Sequence, residues 1–153
     1  MDKTKEKFTD GFKSYTGLNR ISLKIKQAHI LRVWYELNIQ DNEGCGWYPR
    51  IDFITIVKSL GLGQRRAEQI YDEGMDTFWK QSGDDRSIRL VSKYKLARIL
   101  GVYLGDVVKL PREILRNLTK TKAHFYASFF AKDSRKPDGG NTISRKTDLP
   151  PKN

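Results

Sequence analysis

The sequence predicts a mainly α-helical protein with a small β-hairpin, and three patterns lead to this fold class. Apolar residues recur at helical spacing over several stretches of the chain. Residues 51–71 place a glycine between two such stretches, as the turn of a helical hairpin requires. Two short stretches rich in β-branched and aromatic residues then flank a Ser-Gly-Asp-Asp turn, which is typical of a β-hairpin.

Composition limits the classes of protein that fit this chain. Its 153 residues, 38% hydrophobic, are enough for one packed domain with appendages. The net charge of +11 indicates an anionic partner, most simply nucleic acid, although a membrane surface or an acidic protein would also fit. Cys45 is the only cysteine, which excludes an intramolecular disulfide and a zinc site of several thiolates.

The first third of the chain predicts an arm, a core helix and an extended piece. Residues 1–20 are rich in Lys, Thr and Gly with scattered aromatics, so we expect a flexible basic arm. Ser22 is a plausible N-cap for a helix from Leu23 to about Ile39, whose apolar positions form one stripe. Residues 40–46 break this helix, and residues 47–49 predict a short extended piece.

Residues 51–73 carry the spacing of a helix-turn-helix. We expect one helix from about Ile51 to Leu60 and a second from about Gln64 to Glu73. Val57 would pack the first helix against the second, and Gly61 would permit a turn with positive φ. Three and six residues into the second helix, Ala67 and Ile70 would face inward, although such patterns also occur in helical hairpins that bind nothing.

The outward face of the second helix predicts contact with bases. Gln and Arg are the side chains that make bidentate contacts to adenine and guanine edges in the major groove. Two arginines in a first helical turn also oppose the helix dipole, so local stability does not explain them. The predicted base-reading residues are Gln64, Arg65, Arg66 and Gln69.

Two strands, at residues 77–81 and 86–91, are predicted around the turn at residues 82–85. With the preceding helices and the Val57/Gly61/Ala67/Ile70 spacing, this arrangement resembles the winged helix-turn-helix superfamily of DNA-binding proteins over residues 21–92. The resemblance implies that the helix from Gln64 enters the major groove, while the wing reaches a flanking phosphate or the minor groove through Lys80, Arg86 or Arg89. The superfamily also includes members that bind proteins or RNA.

Residues 93–132 predict a basic helical extension that packs on this domain or forms an interface. We expect a helix from Lys93 to about Val102, an extended piece over residues 106–110, and helical segments over residues 111–118 and 121–132. The last segment is apolar on nearly every side, so it predicts burial in the monomer or in a homodimer. Lys93, Lys95 and Arg98 are predicted phosphate contacts, as part of a broader basic surface that continues through Lys109, Arg112, Arg116, Lys120 and Lys122; a solvated face is the alternative for any one of them. Residues 133–153 predict a disordered tail.

The motifs of enzymes and metal sites are not found. His29 and His124 lie in separate helical patterns, and no nucleophile elbow, phosphate loop or HExxH pattern accompanies them. We therefore expect no enzyme, no cofactor and no metal. The chain has no apolar run of membrane-spanning length and no signal-peptide pattern, which predicts a cytoplasmic location without a membrane partner.

The predicted function is sequence-specific binding of double-stranded DNA by a winged helix-turn-helix with a C-terminal helical extension. A transcriptional regulator or an origin-binding replication protein of a plasmid or phage fits this size and character. Two alternatives remain. One is a protein–protein interaction module on a winged-helix scaffold. The other is a sequence-tolerant binder of single-stranded nucleic acid or RNA that stacks bases on Trp47, the tryptophan expected to be exposed.

Overall fold

The protein has a mixed α/β fold, seen in a computed structural model that describes residues 11–41, 44–84 and 86–135, with side chains as far as Phe129. Six α-helices, one 3-10 helix and two small antiparallel sheets occur in these ranges. In chain order the elements are β1 (Gly11–Tyr15), α1 (Thr16–Lys24), α2 (Ala28–Gln40), β2 (Trp47–Pro49), α3 (Arg50–Ser59), α4 (Gln64–Glu73), β3 (Trp79–Gln81), β4 (Ser87–Leu90), α5 (Lys93–Leu100), β5 (Val107–Pro111), the 3-10 helix (Arg112–Arg116) and α6 (Leu118–Arg135).

The larger sheet has three antiparallel strands in the order β2–β4–β3. The predicted hairpin is confirmed, since β3 and β4 pair with Lys80 opposite Arg89. The extended piece at residues 47–49 joins the same sheet, with Tyr48 opposite Ile88. Tyr48 and Ile88 are buried, whereas Trp47, Arg89 and Lys80 are exposed, so alternation directs one face to the core and the other to solvent.

Residues 11–20 are structured, so the prediction of a flexible arm over residues 1–20 is wrong there; residues 1–10 lie outside the described ranges. Strand β1 pairs with β5, and α1 begins at Thr16 directly after it. Phe12, Tyr15 and Leu18 are buried. Phe12 and Tyr15, two of the aromatics that suggested a loosely docked arm, are therefore core residues, and pairing with a distant strand orders the segment.

The predicted single helix from Leu23 to Ile39 is also wrong, because the chain turns between α1 and α2. Lys26 adopts a positive φ of 63°. The N–H of Gln27 donates to the carbonyl of Ser22 at 2.7 Å and that of Lys26 to Leu23 at 3.3 Å, which is the pairing of a Schellman motif. Ser22 is not an N-cap, since its hydroxyl donates to the carbonyl of Asn19 within α1.

Helix α2 is the centre of the core. Nine of its residues are buried, and it packs against α1, α3, α6 and the larger sheet. The ring of Tyr35 lies 5.0 Å from that of Phe12 and 5.8 Å from that of Phe125, measured between centroids. These contacts join the N-terminal segment, the core helix and the C-terminal helix around one side chain.

The extension after the larger sheet is only partly helical. The extended piece expected over residues 106–110 is confirmed as β5, and residues 112–116 form a 3-10 helix rather than an α-helix. Helix α6 packs on α1, and its residues Thr121, Phe125 and Ser128 are buried. Residues 133–135 belong to α6 rather than to the predicted tail, and residues 136–153 lie outside the described ranges.

Candidate nucleic-acid interface

The helical hairpin of α3 and α4 is packed as its spacing predicts. Val57, Ala67 and Ile70 are fully buried, and Gly61 adopts a φ of 96° in the turn between the helices. No side chain caps α4, since Gly63 occupies the N-cap position. The buried residues occupy one side of α4, so the helix presents its other side to solvent.

Gln64 and Arg65 lie exposed on the first turn of α4. The amide nitrogen of Gln64 donates to the Glu68 carboxylate at 2.9 Å, and its oxygen accepts a hydrogen bond from Lys58 at 3.3 Å. The Arg65 side chain makes no hydrogen bond or ion pair within the described part of the chain, so its guanidinium is available to a ligand.

Arg66 and Gln69 interact with each other instead. An Arg66 guanidinium nitrogen donates to the Gln69 amide oxygen at 3.1 Å and lies 3.7 Å from the Glu73 carboxylate. The other Glu73 oxygen lies 3.0 Å from Nε2 of His29. Arg66 is thus drawn toward α2, whereas Gln69 remains exposed.

Arg32 is a buried cation behind this cluster that the sequence patterns did not single out. Its guanidinium donates to the carbonyl of Leu115 at 3.0 Å. Burial, and secondarily the positive charge of Arg66, lower the pKa of Arg32. The apolar stripe of α2 gave no sign of a buried arginine, because the carbonyl that accepts its hydrogen bond lies 83 residues away.

A shallow groove between α3 and α4 adds two cations that the predictions omitted. Arg50 and Lys58 line it together with Ile51, Thr55 and Gln64. Arg50 and Lys58 are eight residues apart, so two turns of α3 place them on one face. The sequence spacing of Arg50 and Lys58 could therefore have identified them as neighbouring cations. Helix α4 alone has two arginines and three acids, a net charge of −1, so cations near its first turn matter for any anionic ligand.

Lys80, Arg86 and Arg89, the residues predicted to act in a wing, are all exposed. Asp84 orders the turn, since its carboxylate accepts hydrogen bonds from the Ser82 hydroxyl and, at 3.0 Å, from the Arg86 backbone. The hydrogen bond from Ser82, and to a smaller extent that from Arg86, lowers the pKa of Asp84. The carbonyl of Arg86 accepts a hydrogen bond from the N–H of Arg50 at 2.8 Å, which joins the β3–β4 hairpin to the start of α3.

The three cations predicted on α5 differ in their surroundings. Lys95 and Arg98 are exposed, whereas Lys93 is half-buried and its ammonium donates to the Tyr15 hydroxyl at 3.3 Å. In the same extension, Arg112 pairs with the buried carboxylate of Glu36 at 2.8 Å. Lys93 and Arg112 therefore have partners within the protein, which neither the predicted phosphate-facing surface nor its alternative, a solvated face, anticipated.

Helix α6 has one inward side and one outward side. Phe125 is fully buried, and the Ser128 hydroxyl accepts a hydrogen bond from the Asn19 amide at 3.2 Å. Tyr126 is 54% exposed and its ring lies 5.5 Å from that of Phe129. The inward side of α6 is therefore buried within the monomer, as expected.

The described residues contain neither a metal-binding cluster nor a membrane-spanning helix. No cluster of three His, Cys, Asp or Glu side chains suited to a metal ion occurs in these ranges. No helix there is both long enough and apolar enough to cross a membrane. Comparisons with family models, curated proteins and solved structures gave no match to this chain.

Proposed function

We propose that this protein binds double-stranded DNA in a sequence-specific manner, through a winged helix-turn-helix whose α4 enters the major groove. The observation that carries the proposal is the exposure of Gln64 and Arg65 at the start of a helix seated by Ala67 and Ile70. The element order helix, strand, two helices and two strands, with sheet order β2–β4–β3, supports the winged-helix assignment.

In this proposal Arg65 is the principal base reader, because it has the least competition from the protein's own groups. Gln64 and Gln69 read neighbouring bases after exchanging their intramolecular hydrogen bonds, and Arg66 does so only if it leaves Gln69 and Glu73. A bidentate arginine contact to guanine is worth about 1–3 kcal/mol of discrimination, a factor of roughly 5 to 150 in affinity.

The phosphate contacts come from two sets of cations. Arg50 and Lys58 line the groove beside Gln64, and Lys80, Arg86 and Arg89 lie on the wing. Lys95 and Arg98 extend this set on α5, whereas Lys93 lines a different groove. Such contacts hold the protein on the duplex without reading its sequence. The biological role proposed is that of a transcriptional regulator or an origin-binding replication protein of a plasmid or phage.

The test is a selection of bound sequences from a random duplex library, followed by fluorescence-anisotropy titrations of the selected duplex and a scrambled one. Arg65→Ala should weaken binding to the selected duplex about 5- to 150-fold and leave the scrambled duplex nearly unchanged. Lys80→Ala should weaken both duplexes alike and reduce the slope of log Kd against log salt by about 0.9.

Lys24→Ala is the matched control, since it removes an exposed cation of α1, outside the proposed interface. It should leave selectivity unchanged. Failure to select any sequence, or a selected duplex that Arg65→Ala binds as tightly as the unmodified protein, would refute the proposal.

A further inference from the structure

A second groove, of about 670 Å³, lies between β1, the C-terminal half of α2 and the junction of β4 with α5. Its floor is aromatic, formed by Phe12, Trp34 and Tyr35, which are all buried. None of its lining residues belongs to α4, although Arg89 lines this groove and is also assigned a phosphate contact in the proposed duplex interface.

The groove has a basic rim. Lys13, Arg89 and Lys93 line it, whereas Asp41 is the acid among its described lining residues. The Asp41 carboxylate accepts a hydrogen bond from the backbone N–H of Gly46 at 2.8 Å, so part of its charge is used within the loop. An anionic ligand therefore meets three cations and one partly satisfied carboxylate.

Two exposed aromatic rings flank this rim, and each lies next to one of its cations. Trp47 is 47% exposed and the guanidinium carbon of Arg89 lies 5.5 Å from its ring centroid. Tyr94 is 68% exposed and the Lys93 ammonium lies 5.3 Å from its ring centroid. Neither ring is buried in the core, in contrast to Trp34 and Trp79, whose indole N–H groups donate to backbone carbonyls.

Exposed aromatic rings beside cations, along a groove, are the combination that binds nucleic acid strands whose bases are unpaired. The rings stack on bases of any identity, and the cations neutralise phosphates. A duplex cannot use these rings, because its bases are stacked on each other. The strand pairing extends the row of cations, since Arg89 lies opposite both Trp47 and Lys80 across the sheet.

We propose that this groove binds single-stranded nucleic acid, with bases stacked on Trp47 and Tyr94 and phosphates held by Lys13, Arg89 and Lys93. The inference does not depend on duplex reading by α4. If both are correct, the protein holds a duplex and an unpaired strand on adjoining surfaces that share Arg89.

Single-stranded DNA and RNA share this chemistry, and the experiment separates them. Labelled oligo(dT) and oligo(rU) of about twelve nucleotides are titrated against the full chain by fluorescence anisotropy at low salt. Trp47→Ala and Tyr94→Ala should each weaken binding about tenfold or more, while Trp47→Phe retains most of the affinity. Tyr103→Ala is the matched control, since Tyr103 is 92% exposed and outside the groove, and it should change nothing.

Intrinsic fluorescence provides a readout in the unmodified chain. Because Trp34 and Trp79 are buried, quenching by a stacked base should originate from Trp47, and Trp47→Phe should remove it. Binding of only one oligomer identifies the natural class of strand. Binding of neither oligomer, unchanged affinity in both alanine variants, or an equal loss in Tyr103→Ala overturns the inference. Arg65→Ala should affect only the selected duplex, so failure here is distinguishable from failure of the proposed function.

Discussion

Substituting Tyr35 by Phe tests whether the buried polar network around this hydroxyl holds the N-terminal segment on the core. The hydroxyl donates to the Asn19 side-chain oxygen at 2.6 Å and accepts from the Tyr15 backbone N–H at 2.9 Å. The Asn19 amide nitrogen in turn donates to the Ser14 and Ser128 hydroxyls, both at 3.2 Å. The network therefore joins β1, α1, α2 and α6.

Tyr35→Phe removes both hydrogen bonds and keeps the ring. Each buried group left without a partner costs about 1–3 kcal/mol. Because local rearrangement should recover part of this, we expect the free energy of unfolding to fall by about 2–4 kcal/mol. The ring contacts with Phe12, Trp34 and Phe125 should persist, so a cavity contributes little.

The same substitution should change the response to alkaline pH. Burial is the main reason that the pKa of Tyr35 is raised above the ordinary value of 10.0. The hydroxyl stays protonated in the folded protein while the unfolded chain loses its proton, so this contribution to stability is complete below pH 10 and declines above it. Tyr48 acts in the same direction, since burial raises its pKa to about 12.

Urea unfolding followed by circular dichroism at pH 7 and at intervals above pH 10 measures both effects. Above pH 10 the stability of the unmodified protein should decline more steeply than that of Tyr35→Phe. The two proteins share all other titrating groups, so the difference in slope comes from the Tyr35 hydroxyl. Tyr103→Phe is the control, because its hydroxyl is on a 92% exposed residue, and it should change stability by less than about 0.5 kcal/mol. A loss below about 1 kcal/mol in Tyr35→Phe, or equal alkaline slopes, would refute the reasoning.

Two further predictions concern the turn before α4 and the outward side of α6. Gly61→Ala should destabilise the protein by about 1–2 kcal/mol in urea unfolding, because a side chain at its φ of 96° is strained, although no atom would touch the new carbon. Gly63→Ala is the control, because Gly63 has an ordinary φ of −83° and equally open surroundings, and it should change stability by about 0.5 kcal/mol or less. Equal losses of stability in both variants would contradict the role of positive φ. We also propose a homodimer through residues 121–132, using the outward side that carries the exposed Tyr126. Light scattering coupled to size exclusion should then give twice the mass of 17.8 kDa for the unmodified chain and the monomer mass for Tyr126→Glu, and a monomer in the unmodified chain would exclude this interface.

Short-range signals made the helical hairpin predictable. The expected bounds of α4 match its observed bounds, because Gly63 and Gly74 flank a segment whose inward positions repeat at helical spacing. The strands of the β3–β4 hairpin were recognisable for a similar reason, since turn residues separate two β-prone stretches. The exposure of Trp47 also followed from its neighbours in the chain, Gly46 and Pro49.

Long-range contacts made the remainder unpredictable. Strand β1 is stabilised by β5, and its own residues carry no strong strand pattern. The turn after α1 places a lysine, rather than the usual glycine, at positive φ. The local sequence therefore gave no signal that the helix ends there. The groove with the basic rim brings together residues near positions 13, 41 and 93, and only the folded chain places them side by side.

The pairing of β1 with β5 determines the order in which the protein can be completed during translation. Tyr15 lies opposite Val107, so β1 leaves the ribosome long before its partner has been made. At about 5–20 residues per second, the wait is roughly 5 to 20 s. Residues 28–91, including α4 and the β3–β4 hairpin, emerge within that interval. These elements are therefore complete in the nascent chain before β5 can pair with β1.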